Sequence, residues 1–280
     1  MPKVIAIAGK GGTGKTTVCG MLVRQLADRK TGHVLAVDAD PNSNLHEVLG
    51  VKAPVTLGEI REGMIDKGEG DALPGGMTKP EYMEYMFGDA LAEEDGYDLL
   101  VMGRTQGPGC YCYINGVLKT QIERYSGGYS HIIVDNEAGL EHISRGTLPQ
   151  GDLLLLISDC SRRGVQAAGR AARLAEDLKL KFKSVKLIIN RAPGGELSPD
   201  GGLASGGELS PDGDIASGGG LAPGMLEEIA SSGLDLLGVL PQDDAVYRYD
   251  SEGLPVADIP ADSPVKTALR EIISKLDNEL

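Results

Sequence analysis

Nine residues, Gly9, Lys10, Gly11, Gly12, Thr13, Gly14, Lys15, Thr16 and Thr17, constrain this chain more than any other stretch. The apolar run before them, residues 4–8, reads as a buried strand. A helical pattern follows, with Val18, Met21, Leu22 and Leu26 at spacings of three and four. Strand, glycine-rich turn and helix N-terminus in that order make a P-loop. Glycines let successive backbone N–H groups converge on an anion, and the helix start adds unpaired donors and partial positive charge. Lys15 is placed to reach the β- and γ-phosphates of a nucleotide, and Thr16 to offer its hydroxyl to Mg2+. The expected fold class is α/β: a doubly wound, mostly parallel sheet of seven or eight strands.

At 280 residues the chain is long enough to bury one large core, and it reads as a single domain over 1–280. It has no tryptophan, so aliphatic side chains must fill that core. The longest apolar run, 153–157, is far too short to cross a bilayer and suits a central strand. The first residues enter a strand without a charged-then-apolar leader, which predicts a cytoplasmic protein. A net charge of −14 argues against a nucleic-acid partner, because such binding rests on a basic footprint. The four cysteines do not suggest a disulfide framework.

A second apolar run, 34–37, ends in Asp38, Ala39, Asp40, Pro41 and Asn42. Carboxylates at the C-terminal end of a parallel strand beside a P-loop are where Mg2+ and the attacking water are handled. A plainer use for Asp40 and Asn42 is to cap a helix beginning near Ser43, and one position can serve both ends. Residues 52–95 show only short helical patterns, around 57–65 and 81–87, and carry no assigned chemistry.

Residues 97–102 read as a strand leading into Gly107, Pro108, Gly109, Cys110, Tyr111 and Cys112. Thiols at i and i+2 point to opposite faces of a strand and do not face each other on a helix. Such a pair is a poor closed chelate within one chain unless the loop bends. Two chains meeting here supply four thiolates, enough for a soft transition metal or an iron–sulfur cluster. The plainer readings are an incidental pair, a surface redox couple or packing cysteines, and the Gly-Pro-Gly lead-in argues against the last. Cys19 falls inside the first helix and reads as core, while Cys160 follows a strand without a sequence partner.

A fourth strand ends at Asp135, with Gly139 four positions later. A fifth strand at 153–158, a helix over 164–178 and a sixth strand at 185–189 follow, the last ending at Asn190 and Arg191. No Asn-Lys-X-Asp guanine motif stands there. A seventh strand at 236–240 leads to Pro241, Gln242 and Asp243. Between the last two strands, residues 194–205 recur as 206–217, and a decayed third copy begins at 218. So few short copies indicate tandem duplication rather than a solenoid, and the Gly, Ser, Pro and Asp content predicts a flexible acidic insert over 194–223. The C-terminal stripe at 265, 268, 269, 272, 273 and 276 is helical. Lys266, Arg270 and Lys275 are offset by Glu271, Asp277 and Glu279, leaving no cationic face for lipid, so the helix is expected to pack on the sheet.

The loop from Lys10 to Thr16 resembles the deviant Walker A loop of the nitrogenase iron protein, MinD and ParA class of ATPases. That resemblance implies that Lys10 crosses a homodimer interface to the phosphates held by the partner, a cation delivered in trans like an arginine finger. It implies that Lys10, Lys15 and Asp40 act in catalysis, with Asp40 orienting the water. Thr16, Asp38 and Asp135 would hold Mg2+, and Gly139 would let a switch sense the γ-phosphate. Asn190, with Arg191 beside it, would hydrogen-bond adenine, and Pro241, Gln242 and Asp243 would form a second base-contacting loop, favouring ATP over GTP. Taken with the Cys-X-Cys loop, the chain resembles the CooC-type nickel-insertion ATPases that mature carbon monoxide dehydrogenase, and almost as closely the AcsF-type factor for acetyl-CoA synthase. This implies that Cys110 and Cys112 of two subunits bind Ni2+, or Zn2+ in vitro, and that hydrolysis of ATP to ADP drives transfer to a client metalloenzyme. Two other readings are an iron-protein-like electron donor with a [4Fe–4S] cluster and a MinD- or ParA-like positioning ATPase. The first is weakened because residues 136–140 contain no second cluster cysteine; the second needs membrane or nucleic-acid attachment, and neither partner is expected. The insert at 194–223 has no counterpart in the family pattern.

Overall fold

A computed structural model describes residues 2–66, 74–104, 126–138, 150–193 and 221–279, together with 116, 119 and 120. Its strands are β1 (Lys3–Gly9), β2 (Val34–Ala39), β3 (Leu91–Glu94), β4 (Tyr97–Val101), β5 (His131–Asn136), β6 (Gln150–Asp159), β7 (Lys181–Ala192) and β8 (Leu236–Pro241). They form an eight-stranded sheet in the order β3-β4-β2-β5-β1-β6-β7-β8, parallel throughout except for β3. The doubly wound α/β expectation and its strand number are thereby met.

The strands read as unbroken apolar runs because both faces of the sheet are covered. On β1, Ile5 and Ile7 enter one core and Ala6 and Ala8 the other. The Ile5 side is roofed by α1 (Lys15–Asp28), α2 (Leu45–Leu49), α7 (Asp244–Ser251) and α8 (Pro264–Glu279). The opposite side carries α3 (Leu57–Asp66), α4 (Lys79–Ala90), α5 (Arg162–Asp177) and α6 (Pro223–Ser231). In α8 the stripe of Val265, Leu269, Ile272, Ile273 and Leu276 is buried, and Ile272 lies over Gly238 of β8. Each such side chain contributes about 1.5–3 kcal/mol as an upper estimate, so this helix belongs to the core. No helix among the described residues is long and apolar enough to cross a membrane.

Register positions the site. Asp135 of β5 stands opposite Ile7 of β1 and opposite Asp38 of β2. Two acidic residues on neighbouring strands thus reach the edge of the sheet from which the Gly9–Thr17 loop departs. The helices expected at 57–65, 81–87 and 164–178 occur as α3, α4 and α5. The hairpin strand β3 was not expected; its Leu-Ala-Glu-Glu sequence has no β-branched residue, but Asp95 and Gly96, with Gly96 at φ 84°, supply the turn. Of the insert at 194–223, only 221–223 fall within the described residues, where Leu221 is buried and Pro223 opens α6.

Candidate nucleotide-binding site

The loop between β1 and α1 is built on glycine. A Cβ on Gly9 would stand 2.2 Å from the Ile157 carbonyl oxygen, and one on Gly14, at φ 86°, 2.5 Å from Asn190 Nδ2. Only glycine fits either place. Gly14 is also the residue before α1, so no side chain caps that helix, and its first turn holds no carboxylate. The opening N–H groups of α1 remain available for an anion. By contrast α4, α5 and α7 are closed by Thr78, Ser161 and Asp243.

Within the loop, the buried Thr13 donates Oγ1–H to the Lys10 carbonyl at 2.9 Å, and Lys15 Nζ donates to the same oxygen at 3.4 Å. The loop is braced from the end of β7. Asn190 Nδ2 donates to the Thr13 carbonyl at 2.9 Å, and Arg191 Nη1 to the Gly12 carbonyl at 3.2 Å. Arg191 holds a left-handed φ of 58°, a strained backbone for a residue with a side chain. This bracing was not expected from sequence. Lys10 itself is exposed.

Asp38 and Asp135 are both fully buried. Asp38 accepts from the Asp40 N–H at 3.1 Å and from the Leu45 N–H at 3.0 Å. It therefore caps α2, the role expected of Asp40 or Asn42. The correction has a simple cause: the chain turns back at Ser43, φ 55°, and brings Leu45 over the end of β2. Burial pushes the Asp38 carboxyl up to about 7 against the bonds from Leu45 and Asp40. Burial likewise pushes Asp135 up to about 7, with Asp38 and Asp40 adding to it and Thr16 and Lys15 opposing it. Neither Asp135 oxygen makes a hydrogen bond of good geometry, and the Thr16 hydroxyl is the hydrogen-bond donor close enough to hold its pKa down. A pair of buried carboxylates facing one hydroxyl, with two oxygens unsatisfied, fits a hard divalent cation such as Mg2+, which keeps several waters. Cys19 lies against the same pair; burial and then Asp135 and Asp38 hold its thiol well above the ordinary range, so it stays protonated and belongs to the core.

Asp40 is half-buried, and its Oδ1 accepts both the Asn42 N–H at 2.8 Å and Asn42 Nδ2 at 3.0 Å. Two residues overlooked in the sequence join it. Arg104 Nη2 donates to Asn42 Oδ1 at 2.8 Å. Asn136, next to Asp135, donates to the Ile7 and Val134 carbonyls and keeps a buried Oδ1 without a partner. Only three-dimensional placement could have found either.

Beside the loop lies a cavity of about 550 Å3 whose lining includes Thr17, Asn190, Arg191, Pro241, Gln242 and Asp243. The two stretches expected to contact the base therefore meet next to the loop. The Asp243 carboxylate is engaged in the fold, accepting from the Ala245 and Val265 N–H groups and from Ser263. Burial raises its pKa, but those bonds outweigh it and leave the carboxyl below its ordinary value. Cys110, Cys112 and Gly139 lie outside the described residues.

Residues 4–200 match the family description CobQ/CobB/MinD/ParA nucleotide binding domain. An uncharacterized ATP-binding protein of Methanocaldococcus jannaschii is 37% identical over 277 residues, 99% of each chain. The carbon monoxide dehydrogenase accessory protein CooC of Rhodospirillum rubrum is 30% identical over 267 residues, 91% of this chain and 89% of that one. Among solved structures, the cell division ATPase MinD of Pyrococcus furiosus matches with a TM-score of 0.66 at 25% identity, covering 99% of this chain and 100% of that one.

Proposed function

The chain belongs to the CobQ/CobB/MinD/ParA nucleotide-binding family and is an ATPase of its MinD/ParA class, and from that premise we propose that it is an ATP-driven metallochaperone. It works as a homodimer, a single domain per chain with the 194–223 segment as an insert. Its cargo is Ni2+, with Zn2+ accepted in vitro, held between two chains by Cys110 and Cys112. The client is a nickel metalloenzyme such as carbon monoxide dehydrogenase or acetyl-CoA synthase, and the work is done in the cytoplasm. The observation that carries this reading is the likeness to CooC over nine-tenths of both chains, taken with the Cys-Tyr-Cys at 110–112.

The N–H groups of the loop and Lys15 bind the β- and γ-phosphates, and the cavity beside Asn190 and Gln242 takes the adenine. Thr16, Asp38 and Asp135 would hold Mg2+, which would supply neutralisation of charge on the phosphate oxygens. Asp40 has one oxygen fixed by Asn42, and the other is left to orient the attacking water. Lys10 reaches across the dimer and stabilises the developing charge in trans. ATP drives the cargo step only because it binds two dimer arrangements with unequal affinity. Turnover without the client is slow, as in nucleotide hydrolases that wait for a trans-acting group.

Cys110→Ser or Cys112→Ser is expected to abolish metal binding and to leave ATP binding within twofold of wild type by equilibrium titration. Full metal stoichiometry in either variant would overturn the reading. A MinD-like positioning role is favoured by the fold likeness over the whole chain. It requires sedimentation with lipid vesicles or binding to DNA, and both are expected to be negative. An iron-protein-like electron donor would emerge brown and iron-loaded from anaerobic preparation.

A further inference from the structure

We propose that Arg104 is a positioning residue for ATP hydrolysis: acting through the Asn42 amide, it sets the orientation of the Asp40 carboxylate. The inference rests on the role given above to Asp40. Arg104 stands just past β4, the neighbour of β2, and the Met102 N–H extends the β2–β4 pairing by donating to the Asp38 carbonyl at 2.9 Å. Arg104 therefore emerges beside the turn that follows β2, although it is 62 residues from Asn42 in sequence.

The bonds have a direction. A guanidinium donates and never accepts, whereas a carboxamide does both, at opposite ends. Arg104 at 2.8 Å compels Asn42 to present Oδ1 to it, which turns Nδ2 toward Asp40, where it donates at 3.0 Å beside the Asn42 N–H at 2.8 Å. Without the arginine the amide loses the partner that fixes its side-chain rotamer, and the Nδ2–Asp40 bond is left to a mobile side chain, so the carboxylate is held less firmly. Asp40 has in turn its own N–H on Asp38, so the relay ends at the cation-binding pair.

Arg104 is itself held on a rigid support. The chain turns at Gly103, φ 70°, where a Cβ would meet Thr56 at 2.5 Å. Thr56 is fixed by Glu59, whose carboxylate accepts its N–H at 2.8 Å, and the Gly58 N–H donates to the Met102 carbonyl at 2.9 Å. Arg104 and Asn42 are both exposed, and an exposed pair of this kind contributes little to folding. Its effect belongs to the reaction rather than to stability.

The test is ATP hydrolysis and thermal melting of the full chain with R104A, R104K, N42A, the R104A/N42A double variant and D40N. R104A and N42A are each expected to lower kcat about tenfold with KM for ATP within twofold and the melting temperature unchanged. The double variant should lose no more than the worse single, because both break one relay. R104K, which keeps a donor-only cation, should recover most of the loss. Wild-type kcat in R104A beside an impaired D40N, or losses that multiply in the double variant, would overturn this inference alone. Wild-type turnover in D40N would overturn the Asp40 assignment and this inference with it.

Discussion

Asp98 and Asp152 at one end of this sheet and the pair Asp38 and Asp135 at the other are held in opposite ways. At the end of β4 and β6 far from the loop, Asp98 accepts from His33 Nε2 at 2.9 Å and from the Tyr129 hydroxyl at 2.6 Å. Asp152 accepts from the Val4 N–H at 2.7 Å and pairs with Lys183. Burial raises the Asp152 pKa, but those two partners outweigh it and hold the carboxyl below its ordinary value. At the loop end, Asp38 and Asp135 sit opposite one another with both carboxyls pushed up to about 7, and neither Asp135 oxygen makes a hydrogen bond of good geometry, with the Thr16 hydroxyl close by. The first pair is electrostatically satisfied by the fold. The other end keeps buried carboxylates that the fold does not fully pair, which fits the nucleotide and cation proposed above for the P-loop beside it.

The sharpest break of this contrast is at the cations. Lys15→Ala should reduce ATP hydrolysis by at least about 100-fold, while Lys183→Ala at the satisfied end should leave it within twofold. Comparable losses in both variants would remove the distinction. The next largest effect concerns stability without nucleotide. At pH 8 Asp135→Asn should stabilise the empty protein by about 2 kcal/mol in denaturant unfolding, because it removes an unpaired buried charge. Asp152→Asn should instead destabilise it by about 1 kcal/mol, because it weakens bonds already made.

The pH dependence follows with its sign fixed by the raised values. An unfolded aspartate releases its proton near 3.8, whereas Asp38 and Asp135 keep theirs in the folded protein up to about 7. Their contribution to stability is therefore full below about 4 and is lost as pH rises through about 7. Melting of the empty protein should occur at a lower temperature at pH 8 than at pH 5.5, and Mg2+ with nucleotide should remove most of the difference. A melting temperature that rises across this range in the empty protein would contradict the account. Smallest of all, Tyr129→Phe should cost about 1 kcal/mol through the lost bond to Asp98 and leave hydrolysis untouched.

Much of the nucleotide end was legible because its chemistry is local. Gly9 to Thr17 carry their meaning in spacing, and Asp38 and Asp135 announce themselves as acids closing apolar runs. Asn190 and the 241–243 stretch could be expected near a base, but not the bracing of the loop by Asn190 and Arg191, which depends on where β7 ends relative to β1. Asn42 and Arg104 meet only because β2 and β4 are neighbours, an order that no periodicity reveals. The strand β3 lacks the β-branched signal, and its Asp95-Gly96 turn was the one cue available. Capping of α2 by Asp38 rather than Asp40 turned on the left-handed backbone of Ser43.

The most direct test is the mass of the protein in solution during anaerobic Ni2+ titration, with and without Mg2+ and ATP. The account predicts that nucleotide shifts the chain to a dimer that binds one metal per two chains, and that C110S/C112S dimers form without metal. A chain that stays monomeric and metal-free with nucleotide and nickel together would contradict it.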